Sequence, residues 1–213
     1  MQRTRVLLAD DHQMLLDALK HILEPRYEVV GTVRDGRALL EAAARLQPDV
    51  IVVDIGMPQL NGLDAARHLG RSLPKAKLVF MTMNEDPDMV GEAFRAGGSA
   101  FLLKQAAAFE LTDAIDKVLK GGSYVTPRAE QGQENIALRE PQGRERSAQP
   151  TTRQREVIQL LAEGRSMKEA ASILRVTKRT IAAHKYSVME NLQLKTNAEL
   201  VQYAVKHNIV SIQ

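Results

Sequence analysis

The sequence predicts a doubly wound α/β domain with a parallel sheet, followed by a small all-helical domain. Three observations carry this expectation. Residues 1–124 alternate strand-like apolar runs with amphipathic stretches of helical spacing. The apolar runs are unbroken rather than alternating, which is the pattern of strands buried on both faces. From residue 149 onward only helical spacing recurs, opened by clear capping signals.

The first strand is expected at Arg5–Ala9, and an amphipathic helix follows at His12–Glu24, closed by Pro25. Tyr27–Val33 is β-rich, and Gly36–Leu46 is rich in Ala and Leu at helical spacing. Val50–Asp54 is a β-branched strand, after which Asn61-Gly62 opens a helix over Leu63–Ser72. Lys77–Met81 is the fourth strand. Asp86-Pro87 is a cap followed by the preferred first-turn proline, leading a helix over Asp88–Ala96. Ala100–Leu103 is the fifth strand, and Ala107–Lys120 the fifth helix, stopped by Gly121-Gly122. Five strands joined by helices imply a parallel sheet covered on both faces; if it is flavodoxin-like, of order 2-1-3-4-5, its first and third strands are neighbours.

Residues 125–148 read as a linker rich in Gln, Arg, Glu, Pro and Gly, with a short helical turn around Ile136–Leu138. Beyond it, Thr151-x-x-Gln154, Ser166-x-x-Glu169 and Thr196-x-x-Glu199 have capping-box form, and Thr177 can cap a further helix. Four helices result, over 152–163, 167–174, 178–192 and 197–207. The second and third are joined only by Arg175-Val176-Thr177. That is the helix-turn-helix pattern, whose second helix enters a DNA major groove. The domains are therefore 1–124, a linker over 125–148, and 149–213.

Composition narrows the function. Of 213 residues, 44% are apolar, enough for a packed core, and none is cysteine, which excludes disulfides, thiol catalysis and thiolate metal sites. No apolar run approaches the roughly 18 residues a bilayer span needs. The N-terminal stretch meets Asp10 after four apolar residues and lacks the form of a secretory signal. A cytoplasmic location and no membrane partner are expected. Residues 1–124 hold 15 basic and 17 acidic side chains, whereas 151–213 hold 10 and 5. The basic tail is the candidate for a polyanion.

The chemistry collects at strand ends. Asp10 and Asp11 follow the first strand, Asp54 ends the third, Thr82 follows the fourth and Lys104 the fifth. Ligands of open α/β sheets bind at that edge. Each residue alone has a plain alternative: Asp10 and Asp11 as helix caps, Asp54 as a loop acid, Thr82 as a turn former, Lys104 as a solvated charge. Together, three carboxylates in one crevice require a cation, and hard oxygen ligands suit Mg²⁺. A lysine and a hydroxyl opposite could take phosphoryl oxygens. These are the parts of phosphoryl transfer to a carboxylate nucleophile.

The segments LLADDH, VVDIGMPQLNGL, FMTMNE and AFLLKQ resemble the receiver domain of bacterial response regulators. The tail from Thr151 to Ala204 resembles the helix-turn-helix of the NarL/LuxR type. The resemblance implies a regulator that takes a phosphoryl group from a sensor histidine kinase and binds promoter DNA, as a homodimer when phosphorylated, with RNA polymerase as a further candidate partner. It makes Asp54 the phosphoacceptor and Asp10, Asp11, Asp54 and the Gly56 carbonyl the Mg²⁺ site. Lys104 and Thr82 would contact the phosphoryl oxygens. Phe101 takes the aromatic switch position, turning inward after Thr82 shifts. Pro58 and Gly62 would shape the loop after the acceptor, the glycine by permitting positive φ. Two departures are Gln105, where many receivers have proline, and Met83, whose bulk could restrict water at the site. The surface coupling the halves is expected at Asp88–Ala96, Ala100–Leu103 and Ala107–Lys120.

On the third tail helix, Ile181, His184, Val188 and Leu192 form an inward stripe. Lys178, Arg179 and Lys185 suit phosphates. The resemblance places base reading at Ala182, Ala183 and Tyr186, although alanine can only touch a thymine methyl. Two alternatives stand beside this reading. One is a protein-binding regulator whose tail no longer reads DNA. The other is a Mg²⁺-dependent aspartyl-phosphate phosphatase, disfavoured because Gly56 stands where its second acid would be.

Overall fold

The computed structural model describes residues 3–127 and 149–210. The expected helical turn at Ile136–Leu138 and most of the expected linker lie outside the described residues. The first domain holds β1 (Arg5–Ala9), α1 (Gln13–Leu23), β2 (Glu28–Val33), α2 (Gly36–Leu46), β3 (Val50–Asp54) and α3 (Gly62–Ser72). It continues with β4 (Lys77–Thr82), α4 (Pro87–Arg95), β5 (Ala100–Leu103), α5 (Ala107–Leu119) and β6 (Tyr124–Val125). The sheet runs 2-1-3-4-5-6, all parallel. The expected five-strand order is present, with a sixth edge strand in addition. The expected linker start at 125 therefore falls inside the fold. Thr126 fixes that end: its hydroxyl accepts from the Leu103 N–H and donates to Glu110. Those bonds join separate segments of chain, which sequence periodicity does not register.

Two cores sandwich the sheet. Leu16, Leu19 and Leu23 of α1 pack with Leu111 and Ile115 of α5 against Val6, Leu8, Val52 and Val79. On the opposite face Leu39 of α2, Leu69 of α3 and Val90 of α4 pack against Leu7, Ile51 and Phe80. Every residue of β3 is buried, as its unbroken run requires. Caps fall where polar residues precede the helices: Asp35, Asn61 and Asp86 each accept a first-turn N–H.

The tail holds α6 (Thr152–Ala162), α7 (Met167–Ile173), α8 (Lys178–Asn191) and α9 (Asn197–Lys206). Thr151 and Ser166 close complete capping boxes. At α9 Thr196 caps Glu199, but the Glu199 carboxylate accepts from the N–H of Lys195 instead of closing the box. Arg175, at φ +53°, makes the turn between α7 and α8. Buried Ile181 and Val188 of α8 face the tail core, with His184 and Leu192 half-buried beside them.

The two domains touch directly. Helix α6 lies against α2, α3 and the loop between β3 and α3. Buried Glu156 accepts from Arg37 of α2 at 2.6 Å and pairs with His68 of α3 at 2.8 Å. Arg155 forks onto buried Asp64 of α3 at 2.9–3.2 Å. Asn61 also donates to the carbonyl of Ile209, and Asn84 to Asn208. The main docked contact lies on α2 and α3, where the polar face of α6 finds its partners.

Candidate phosphoacceptor site and tail surface

Strand register assembles the site. β1 pairs β3 with Ala9 opposite Val53, so Asp10 and Asp54 emerge level with each other. β3 pairs β4 with Asp54 opposite Met81, and β4 pairs β5 with Thr82 opposite Leu103. Asp54, Thr82 and Lys104 therefore leave the sheet at one edge. The Lys104 ammonium lies 2.7 Å from Asp10 Oδ2 and 3.1 Å from Asp54 Oδ2, so one cation spans both acids. Asp10, Asp54 and Thr82 are buried.

Burial sets the electrostatics. Desolvation holds the Asp54 carboxyl above its ordinary value; the Lys104 charge opposes this, Asp10 adds to it, and a Gly56 N–H bond opposes it. Lys104 is buried too, which alone would favour its neutral form. The two carboxylates outweigh that and hold its ammonium above the ordinary range. A buried carboxylate whose proton is held too tightly is a poor nucleophile until more positive charge arrives.

Asp10, Asp11 and His12 each offer a ligand atom, all within 4.8 Å of one another. The His12 N–H donates to Asp10 Oδ1 at 2.9 Å, and its Nδ1 lies 2.8 Å from Asp11 Oδ1. Asp10 and Asp11 thus group as expected, and oxygen donors on an acid pair fit a hard divalent cation. His12 joins the cluster unforeseen. Its only signal was its place directly after the acid pair. Asp10 and Asp11 do not cap α1 in the plain sense: the cap position is His12, without a side-chain bond. Gly56 contributes an N–H to Asp54.

Three expectations need correction. Gly62 does not have positive φ; it is required because a Cβ there would collide with the Asp54 carbonyl oxygen, toward which α3 starts. The left-handed residue of this loop is Gln59, at φ +64°. Phe101 is already buried, at 1% exposure beside Phe80 and the edge strand β6, so no inward turn remains to be made. Met83 points outward at 62% exposure and does not cover the site. The Thr82 hydroxyl accepts from the Asn84 N–H at 3.0 Å.

On the tail, Lys178, Arg179, Ala183 and Tyr186 are exposed along one side of α8, with Ala182 half-buried at its border. Lys185 is half-buried. It lines a hollow with Leu161, Met167 and Leu200, on the flank of the inward stripe, while its ammonium reaches back to within 5.5 Å of the Tyr186 ring. Its backbone position, one turn from Ile181, explains this placement. No helix among the described residues is long and apolar enough to cross a membrane.

Known proteins share this arrangement. The response regulator receiver domain family matches residues 6–116, and the luxR family of bacterial regulatory proteins matches residues 150–204. The chain is 34% identical over 211 residues to the transcriptional regulatory protein MctR of Rhizobium johnstonii, covering 98% of this chain and 96% of that one. It is 32% identical over 213 residues to the transcriptional regulatory protein LiaR of Bacillus subtilis, covering 97% and 99%. Among solved structures, the RcsB response regulator of Salmonella typhimurium is 26% identical with a TM-score of 0.64, covering 95% and 97%. An RcsB–DNA complex is 26% identical with a TM-score of 0.60, covering 95% and 98%.

Proposed function

The chain belongs to the response regulators that join a receiver domain to a LuxR-type DNA-binding tail, and we propose that Asp54 is its phosphoacceptor and that phosphorylation there governs binding to promoter DNA. It is a two-component transcription regulator and not an enzyme, which sets the phosphatase alternative aside. The observation that carries the reading is the Lys104 ammonium shared between Asp10 and Asp54 at the sheet edge.

The chemistry follows from the residues. A sensor histidine kinase presents a phosphoryl group on a histidine nitrogen. An Asp54 carboxylate oxygen attacks the phosphorus, the P–N bond breaks, and its electron pair stays on the imidazole, which is protonated as it leaves. Lys104 then moves from the carboxylates to a phosphoryl oxygen, and the Thr82 hydroxyl turns from Asn84 to another. Asp10, Asp11, Asp54 and the Gly56 carbonyl would hold Mg²⁺, which when bound neutralises the acids and the incoming phosphoryl charge. That charge is also what a desolvated Asp54 needs to stay ionised.

In the tail, Lys178 and Arg179 contact phosphates, and Ala182, Ala183 and Tyr186 face base edges. Lys185 reaches DNA only by extending past Tyr186. RNA polymerase is a further candidate partner at promoters, the working form is a homodimer when phosphorylated, and the setting is the cytoplasm without a membrane partner.

The test is intact-mass analysis after incubation with acetyl phosphate and Mg²⁺. One phosphoryl adduct is expected on the unaltered chain, and none on Asp54→Asn or after chelation. A full adduct on Asp54→Asn defeats the assignment.

A further inference from the structure

The loop Ile55–Asn61 joins the phosphoacceptor to α3, and the DNA-binding tail completes its hydrogen bonding. The buried Gln159 side chain donates to the Met57 carbonyl at 2.9 Å and accepts from the Asn61 N–H at 2.8 Å. One turn later, Glu163 accepts the Gln59 N–H through both carboxylate oxygens, at 2.9 and 3.2 Å. Gln159 also donates to Glu163 at 2.8 Å, which joins the two into one fork. An i, i+4 pair on α6 thus satisfies three backbone groups of a loop in the other domain.

These contacts bear on the reacting atoms. Met57 directly follows Gly56, whose N–H donates to Asp54. Gln59 is held at φ +64°, a conformation that a residue with a Cβ keeps only when its surroundings enforce it. Glu163 is the group that grips its N–H. Burial holds the Glu163 carboxyl above its ordinary value, and the bonds from Gln159 and the Gln59 N–H, with the Arg165 charge, offset part of that cost. Inside the loop, the Leu60 N–H donates to Pro58 and the Gly62 N–H to Ile55, which leaves the Met57, Gln59 and Asn61 groups to the tail.

We infer that Gln159 and Glu163 are positioning residues for phosphoryl transfer: side chains of the DNA-binding domain that hold the loop so that Gly56 stays aimed at Asp54. This rests on Asp54 being the phosphoacceptor. A loop released from the fork must be ordered at each transfer, and a misplacement of even part of an ångström lowers a rate that depends on geometry.

The experiment measures the rate at which full-length protein gains the Asp54 adduct from acetyl phosphate with Mg²⁺. Gln159→Ala and Glu163→Ala are expected to slow it on the order of tenfold. Glu163→Gln keeps an acceptor for the Gln59 N–H and should stay within about twofold of the unaltered chain. Should Gln159→Ala not fold, the Glu163 pair decides alone, because that residue caps the end of α6 and is only partly buried. Equal rates for Glu163→Ala and the unaltered chain overturn the inference, as does equal slowing by Glu163→Ala and Glu163→Gln. Failure of the unaltered chain to gain an adduct at Asp54 overturns the phosphoacceptor reading itself.

Discussion

Glu156→Gln should loosen the docking of the tail on the receiver, and by a pH-dependent amount. Glu156 is 1% exposed and takes three short contacts: Arg37 at 2.6 Å, Arg153 at 2.7 Å and His68 at 2.8 Å. Burial alone would raise its pKa, yet the Arg37, His68 and Arg153 contacts together bring it below its ordinary value of 4.5. Removing one partner of a fully buried pair costs about 3–5 kcal/mol. Here the Arg37 and His68 side chains keep 25% and 37% exposure and recover water when the pair is lost, so about 2 kcal/mol is expected. The sign is fixed by the depressed pKa. Its stabilisation is complete above the ordinary glutamate value and is lost as pH falls through the folded value. Chemical denaturation at several pH values should show a gap of about 2 kcal/mol at pH 7, closing as pH falls below the ordinary glutamate value of 4.5 and the unaltered carboxyl takes up its proton. A gap that is absent at pH 7, or that persists unchanged in acid, would refute the account of Glu156 as a charged anchor.

Asp54→Asn should melt at a higher temperature than the unaltered chain at pH 7 in the presence of chelator. The Asp54 carboxyl is held above its ordinary value of 3.8, so its contribution favours the fold only below that value and is lost as pH rises through the folded value. The difference in melting temperature should narrow toward pH 4, and a lower melting temperature for the variant at pH 7 would contradict a carboxyl destabilised by burial. On the tail, Arg179→Ala should flatten the salt dependence of DNA binding by about one unit. Lys185→Ala should change it less, because Lys185 sits on the inward flank; equal slopes for the two variants would mean that its ammonium reaches the phosphates as directly.

The strand ends were legible because parallel strands fix both ends of their register from local sequence. Val50–Asp54 is apolar up to its acid, so Asp54 had to stand at the sheet edge, and the same holds for Asp10 after Leu7-Leu8-Ala9. The caps Thr151, Ser166 and Thr177 were legible since a hydroxyl three residues before its partner is a local geometry. What escaped were features set by contact between distant segments. Gly62 was expected to relieve a torsion, whereas it relieves a collision with the backbone of Asp54. Glu156 and Gln159 read as ordinary polar positions of an amphipathic helix. Both are buried because their partners, Arg37, His68 and the loop after Asp54, arrive from about 90 to 120 residues away. His12 escaped for a different reason: a histidine after two aspartates reads as the start of a helix, and only the fold turns its ring toward both acids.

The docked arrangement also limits how the receiver can act on DNA binding. The receiver meets α6 and the segment around Asn208–Ile209, while Lys178, Arg179, Ala183 and Tyr186 of α8 stay exposed. A signal that worked only by uncovering α8 would have nothing to uncover. The outward side of α9, with Ala198, Val201 and Gln202, is likewise open in the docked form. Besides pairing of two receivers, one route of control runs through where α6 sits and how firmly it is held, since α6 touches both the loop after Asp54 and the core that carries α8. Ile158 and Val157 on its inner side pack with Val188 and Ile181, so a shift of α6 is transmitted to α8 by contact between packed side chains. The same helix thereby holds the phosphoacceptor loop with Gln159 and supports the DNA-facing helix with Val157 and Ile158.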